Sequence, residues 1–356
     1  MAGLLARPRI ALLPDWQNET RVDACAALRL IYPFTHPIIR KRFDVEIAGF
    51  DIRPCDYDLI VVQRMLNSEL SFEDAVSFIG SLKRFGTKLI ADLDDNLLDA
   101  HPDPASEAWL TRQRSKTRLL LRMADQVIVS TPLLAQRVAP LNPCILVSRN
   151  ALPEEWIGTS IPSRTNDQVV IGCYGTLTHL RDFMTIAAGI RTALSRLGTT
   201  VRFELCGISV DQRIVEIFGS AGRVTVLPPI PNYPDFFRFM RDKARWDIGL
   251  APLERGRFQD AKSDIKYLEF SAFGCAGIYS NAPAYDAVRD GETGLVRDNL
   301  PSEWAEAIVR LVKDRELRAA LVERARETVR CERTIATAAE RLSGILTQTL
   351  DEPALV

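Results

Sequence analysis

The sequence predicts an α/β protein made of two doubly wound parallel-sheet domains, and three observations carry that prediction. Short β-branched runs alternate with amphipathic segments over most of the length, the rhythm of a parallel sheet wrapped by helices. At 356 residues the chain exceeds the size at which one core usually keeps growing, so two domains are expected. Between two such series lies "RNALPEEWIGTSIPSRTNDQ" (149–168), rich in Pro, Ser, Thr and Asn and without periodicity, which reads as the interdomain linker. The expected domains are 1–155 and 156–334, with a helix at about 335–350 packing back on the first.

In order along the chain, "RIALLP" (9–14), "DLIVVQ" (58–63), "KLIADLD" (88–94), "QVIVS" (126–130) and "CILVS" (144–148) read as buried strands. After the linker come "VVIGCYG" (169–175), "VRFELCG" (201–207), "VTVLP" (224–228), "DIGLAP" (247–252), "AGIYS" (276–280) and "TGLVR" (293–297). Helices fit between these at 182–197, 211–219, 233–243 and 264–273, and the tail from "PSEWAEAIVRLVKDRELRAALVERARETVR" onward is helical by spacing and residue type. Two such domains in tandem form a cleft, and ligands of doubly wound sheets sit beyond the carboxyl ends of the strands. Chemistry is therefore sought in the loops after those strands.

Composition narrows the function classes. A chain 47% hydrophobic and 26% charged with a formal net charge of −1 has no global pull toward nucleic acid or membrane, so any electrostatic partner is met locally. The seven cysteines are odd in number and never spaced as C-x-x-C, which reads as buried free thiols in a reducing cytoplasm. No apolar run reaches the roughly twenty residues of a membrane span, and the first residues lack a signal-peptide core. The expected location is the cytoplasm. The G-x-G-x-x-G fingerprint is missing after the first strand, where "LLPDWQ" stands, which argues against a nicotinamide enzyme. No P-loop, nucleophile elbow or zinc spacing is present.

Four segments carry candidate chemistry, each with a bland alternative. In "IGCYGTLTHLRDF" (171–183) a strand runs into Gly175, then a polar turn with His179, then a helix starting near Arg181 or Asp182. This is either a structural turn or a phosphate contact at a helix N-terminus. In "DAKSDIKYLEF" (260–270), Ser263 is placed as the cap of a helix, with Lys262 and Lys266 on one side and Glu269 one turn on. A diphosphate with an attached ribose wants that pairing of cation and carboxylate; a surface helix with ion pairs explains it as well. "ADLDDNLLDAHPDP" (91–104) ends a strand with Asp92, Asp94 and Asp95, read as a metal site, an acceptor-hydroxyl contact or caps of the next helix. The helix "TRQRSKTRLLLRM" (111–123) carries Arg112, Arg114, Lys116, Arg118 and Arg122 without an acid, so it is a solvated face or docks on anionic lipid. His36 and His101 lack partners nearby in sequence.

Taken together, "IGCYGTLTHLRDF", "VTVLPPIPNYPDF", "WDIGLAPL", "KSDIKYLEFSAFG" and "GIYSNAPAYDAVRDGETGLV" resemble the carboxyl-terminal half of family 4 retaining glycosyltransferases of GT-B fold, most like bacterial polysaccharide and lipopolysaccharide sugar transferases. The match covers roughly 169–300; the amino-terminal half is supported mainly by strand order and "DLDDN". The resemblance implies two Rossmann-like domains facing a central cleft. It implies a nucleotide diphosphate sugar as donor, a glycan or lipid-linked acceptor, and no metal or other cofactor. Glu269 matches the glutamate that holds the ribose hydroxyls, and Lys262, with Lys266 second, lies where a cation neutralises the pyrophosphate. Ile230 and Tyr233 border the nucleobase, and Gly175, Thr176, His179 and Ser263 belong to the donor side.

The sequence departs from that family in three places. Ala261 stands where the first of two glutamates is usual; Thr176 and Asp182 stand where an Arg and a Lys commonly follow the glycine turn, with Arg181 as substitute; a histidine of the amino-terminal half has no counterpart, its space falling to Asp94 or Asp95. The implied reaction is sugar transfer with retention by a front-face route, the leaving diphosphate helping to deprotonate the acceptor. Two other functions fit the same architecture: a sugar-nucleotide epimerase, which needs no acceptor, and a non-catalytic partner in a polysaccharide-synthesis complex. The basic helix adds peripheral contact with the inner membrane face, and nucleic acid is not expected as a partner.

Overall fold

A computed structural model describes residues 6–15, 22–158, 168–209, 211–219 and 223–352. The chain divides into two units. The first comprises Met1–Pro153, Ala261–Ser263 and Arg333–Val356; the second comprises Glu154–Asp260 and Asp264–Glu332.

The first unit holds a six-stranded parallel sheet: β1 (Arg9–Leu13), β2 (Asp44–Ile47), β3 (Leu59–Gln63), β4 (Lys88–Leu93), β5 (Gln126–Val129) and β6 (Ile145–Val147), in the order β2-β1-β3-β4-β5-β6. β3 and β4 are buried along their whole length, which is why they read as continuous apolar runs. β2, with the sequence DVEI, is an edge strand mostly open to solvent, and its mixed polarity gave no strand signal. Ile10, Leu12, Leu59, Val61, Ile90 and Ile128 share a core with Phe34 and with Ala339, Leu342 and Leu346 of the helix Ile335–Asp351.

The second unit repeats the plan with β7 (Val169–Tyr174), β8 (Val201–Cys206), β9 (Arg223–Leu227), β10 (Ile248–Ala251), β11 (Ala276–Ser280) and β12 (Leu295–Arg297), in the order β12-β11-β10-β7-β8-β9 and parallel throughout. Helices Leu180–Leu197 and Pro301–Lys313 pack so closely that a Cβ added at Gly189 would lie 2.7 Å from the Pro301 carbonyl oxygen.

Local structure refines several sequence expectations. The segment expected as a helix at 211–219 is a 3-10 stretch, Gln212–Phe218, ended by Gly219. That at 233–243 is a helix Tyr233–Phe239, capped by Asn232, which widens over Met240–Ala244 and stops at Arg245 with φ 50°. Much of the expected linker, 159–167, lies outside the described residues; within it Glu154–Ile157 is a helical turn. All seven thiols are free, and Cys55 and Cys331 are exposed rather than buried.

Candidate functional site

In the second sheet the strand order reverses between β7 and β10, the place where doubly wound sheets leave a crevice at their carboxyl ends. β7 runs into Gly175, whose N–H donates to the Cys206 carbonyl at 3.1 Å. Gly207 beside it has φ 73°, and a Cβ there would sit 2.5 Å from the Gly175 oxygen, so this spot requires glycine. Beyond lie exposed Thr176, a 3-10 turn Leu177–His179, and the helix from Leu180. His179 Nδ1 pairs with Asp182 Oδ2 at 2.8 Å, and Asp182 Oδ1 accepts from the Glu254 N–H at 2.8 Å. Burial pushes the Asp182 carboxyl up, but His179 and that amide outweigh it and hold it below its ordinary value. Arg181 is exposed and bonds Glu254 at 3.1 and 3.2 Å. The loops after β7 and β10 are thus tied together at the switch point by Arg181, Asp182 and Glu254.

Glu269 lies on the helix Ile265–Phe273 and is only 2% exposed. Its Oε1 accepts from the Tyr233 hydroxyl at 2.8 Å and its Oε2 from the Tyr174 hydroxyl, while burial pushes the carboxyl well above its ordinary range. One turn earlier Lys266 is buried with Nζ 5.4 Å from the Tyr174 ring centroid, a cation–π contact. The structure therefore brings Lys266, Glu269 and Tyr233 together, with Tyr174 as the member that sequence reasoning missed. Ile230 is half-buried in the segment leading to Asn232.

The segment 260–270 differs from expectation. The helix begins at Ile265 with Asp264 as N-cap, so Ser263 does not cap it; Ser263 Oγ instead accepts from Asn150 Nδ2 at 2.9 Å. Lys262 precedes the helix in irregular backbone, so it and Lys266 do not share a helix face. Residues Lys266 to Phe273 are all buried, which removes the surface-helix reading. Lys262 and Ser263 belong to the first unit, the other donor-side candidates to the second.

In the first sheet the order reverses between β1 and β3. Arg64, directly after β3, has φ 61°, a left-handed conformation rare for a residue with a side chain. Its guanidinium grips Asp94 at 2.6 and 3.0 Å, reaches Asp95 at 3.5 Å and Asp15 at 3.7 Å, and donates to Cys25 Sγ at 3.2 Å. Burial raises the Asp94 carboxyl, but Arg64 overrides it and lowers it to about 2. Asp94 is thus an ion-pair partner, not an open base. Asp15 is raised by burial, only partly offset by Arg64. Asp92, inside β4, takes two bonds from buried Arg29 at 2.5 and 2.9 Å. None of the three aspartates caps the following helix: Asp103 does so, accepting from Ser106 N–H. Among the described residues no group of three or more His, Cys, Asp or Glu could hold a metal ion.

Within the basic helix Pro104–Met123, Arg114 is engaged with Glu107 at 2.9 Å and with the Leu97 and Asp99 carbonyls, and buried Lys116 donates to the carbonyls of Asn67, Ser68 and Leu70 at 2.8–3.1 Å. Only Arg112, Arg118 and Arg122 present their charge to solvent. His36 and His101 do have local partners: each Nδ1 accepts a backbone N–H, from Ile38 and Asp103 respectively. No helix among the described residues is long and apolar enough to cross a membrane.

Two parallel six-stranded sheets with interleaved helices make an α/β two-domain fold that matches those of GT-B glycosyltransferases. HepE of Anabaena, solved with UDP and glucose, superposes with a TM-score of 0.69 at 15% identity, covering 96% of this chain and 100% of that one. A glycosyltransferase from Rickettsia africae gives 0.64 at 12% identity over 98% of this chain and 100% of its own. An alpha-glucosyltransferase in complex with UDP gives 0.66 at 11% over 96% and 100%. At such identities the likeness is one of fold. No family model and no curated protein matches the sequence.

Proposed function

We propose that this chain transfers a sugar, with retention, from a uridine diphosphate sugar to a glycan or lipid-linked acceptor in cell-surface polysaccharide synthesis. The observation that carries the reading is the buried Glu269 carboxylate with its two tyrosine hydroxyls beside Lys266, near the carboxyl end of β7. A ribose diol can take the place of such hydroxyl donors, while ammonium and guanidinium groups suit the diphosphate. The UDP held by HepE and by the alpha-glucosyltransferase supports uridine as the base.

In this reading Lys262 and Arg181 stabilise the departing diphosphate, Gly175, Thr176 and His179 border it, and Ile230 flanks the base. The bond from the anomeric carbon to the diphosphate oxygen breaks as the acceptor oxygen bonds to the same face. The acceptor proton passes to the leaving oxygen, so no protein nucleophile is needed, and in this reading the charge of the diphosphate is met by Lys262 and Arg181 rather than by a metal. Asp94 and Asp95, held by Arg64, orient acceptor hydroxyls.

Thermal unfolding against a panel of nucleoside diphosphates and their sugars tests the donor: UDP raises the melting temperature of the wild type and fails to do so for Glu269→Ala. Lys262→Ala is expected to lose about 3 kcal/mol of transition-state stabilisation, roughly a hundredfold in turnover, while folding normally. Turnover unchanged in EDTA is expected; its abolition redirects attention to the carboxylates after β4. Failure of every nucleotide to shift the melting temperature favours a non-catalytic partner, a reading that Ala261 in the first glutamate position supports. Exposed Arg112, Arg118 and Arg122 support a peripheral contact with anionic lipid.

A further inference from the structure

We infer that Asn150 and Thr131 are positioning residues that hold Lys262 ready for an anionic ligand before that ligand arrives. The inference rests on the reading of Lys262 as a diphosphate-facing cation. Lys262 stands in irregular backbone between two pinned neighbours. On one side, the Thr131 hydroxyl donates to the Ala261 carbonyl at 3.0 Å. The same hydroxyl accepts from the Leu134 N–H at 3.1 Å as cap of the helix Pro132–Val138, which leaves its hydrogen directed at Ala261. On the other side, Asn150 Nδ2 donates to Ser263 Oγ at 2.9 Å.

The Asn150 amide has no freedom to turn over. Its Oδ1 accepts at 3.0 Å from Arg29, a residue that can only donate, so its amino group must face Ser263. Arg29 is fixed in turn by Asp92 and by the Ser148 carbonyl at 2.8 Å, and the Asn150 carbonyl accepts from Arg333 Nε at 2.8 Å. One residue therefore bonds to each of the three stretches of chain that compose the first unit. Asn150 and Thr131 are both buried, so water competes little for these bonds. A flexible lysine would lose conformational freedom on binding an anion; a lysine whose flanking backbone is already fixed loses less.

The test has two independent readouts. Amide hydrogen exchange of the segment 259–264 should quicken in Asn150→Ala and Thr131→Val, with Thr131→Ser, which keeps the hydroxyl, behaving as wild type. UDP affinity, measured by calorimetry, should fall about tenfold in Asn150→Ala, yet show no further loss when that change is added to Lys262→Ala. A residue important only to folding would instead weaken both backgrounds equally, and that outcome overturns the inference. So does wild-type exchange and wild-type UDP affinity in Asn150→Ala alongside a weakened Lys262→Ala, which leaves the proposed function standing. Full affinity in Lys262→Ala overturns the positioning and leaves the proposed function standing on Glu269; no UDP binding by the wild type overturns both.

Discussion

Arg64 is held in a left-handed backbone conformation and neutralises a carboxylate that burial alone would keep protonated. Removing it in Arg64→Ala leaves Asp94 buried without its guanidinium, an expected loss of about 3 to 5 kcal/mol readable in urea unfolding. The folded Asp94 value lies below the ordinary 3.8, so its stabilisation is present above that pH and disappears as pH falls through about 2. Arg64→Ala should accordingly flatten that acid limb. Glu269 behaves oppositely. Burial raises its folded value above the ordinary 4.5, so the folded protein holds this proton more tightly and loses stability as pH rises from 4.5 toward the raised value. Glu269→Gln has no such proton to give up, and melting curves stepped upward from pH 4.5 should show the variant gaining on the wild type; parallel curves would count against a carboxyl raised by burial. Neither arginine behind the carboxylates, Arg29 nor Arg64, was legible in the sequence, because their partners lie 63 and 30 residues away. The one available signal was the place of Arg64 directly after a strand.

At the scale of single elements, the helix Pro104–Met123 shows what charge counting misses. Its five cations look alike in sequence, yet Lys116 serves the loop 67–70 by donating to three carbonyls. Lys116→Met should cost about 1.5 to 3 kcal/mol of stability with little effect on liposome binding, whereas glutamate at 112, 118 and 122 should weaken binding to anionic liposomes and leave the urea midpoint unchanged. Liposome binding that ignores all three reversals would remove the membrane contact. The central strands were readable because burial on two faces leaves a continuous apolar run; the edge strand β6, expected to be buried, is only partly covered and was read from its branched aliphatic residues, while β2, with one residue in four partly covered and none fully buried, had no such mark. Helix ends were less legible. Ser263 has the chemistry of a cap, but its hydroxyl is taken by Asn150, and the helix starts two residues later. Gly189 gave no sign of its role; Gly189→Ala is expected to force the helices Leu180–Leu197 and Pro301–Lys313 apart at about 1 to 3 kcal/mol, measured as a lower urea midpoint.

For the whole molecule, the rhythm of strands and helices made the two-sheet architecture legible, since each parallel crossover imposes its own periodicity. Strand order was not, because nothing in β1 or β7 says on which side its successor will lie. The pieces of the candidate site were legible where they follow a strand, as at Gly175, or match a family motif, as at Glu269, and illegible where a distant side chain sets their role, as with Tyr174, whose partner Glu269 lies 95 residues on. The first unit is discontinuous: Leu152 and Thr334 form a parallel bridge, and Ala339, Leu342 and Leu346 fill the core under β1, β3 and β4. A chain ending at Glu332 should therefore expose that core and bind a hydrophobic dye such as ANS; a fully compact, cooperatively melting fragment would contradict the shared core. The same discontinuity bears on synthesis. Ribosomes release the amino-terminal residues first, and most proteins begin folding from that end. Here the core of the first unit lacks Ala339, Leu342 and Leu346 until the helix Ile335–Asp351 has been made, while every residue of the second unit precedes that helix, so the second unit is expected to complete its core first.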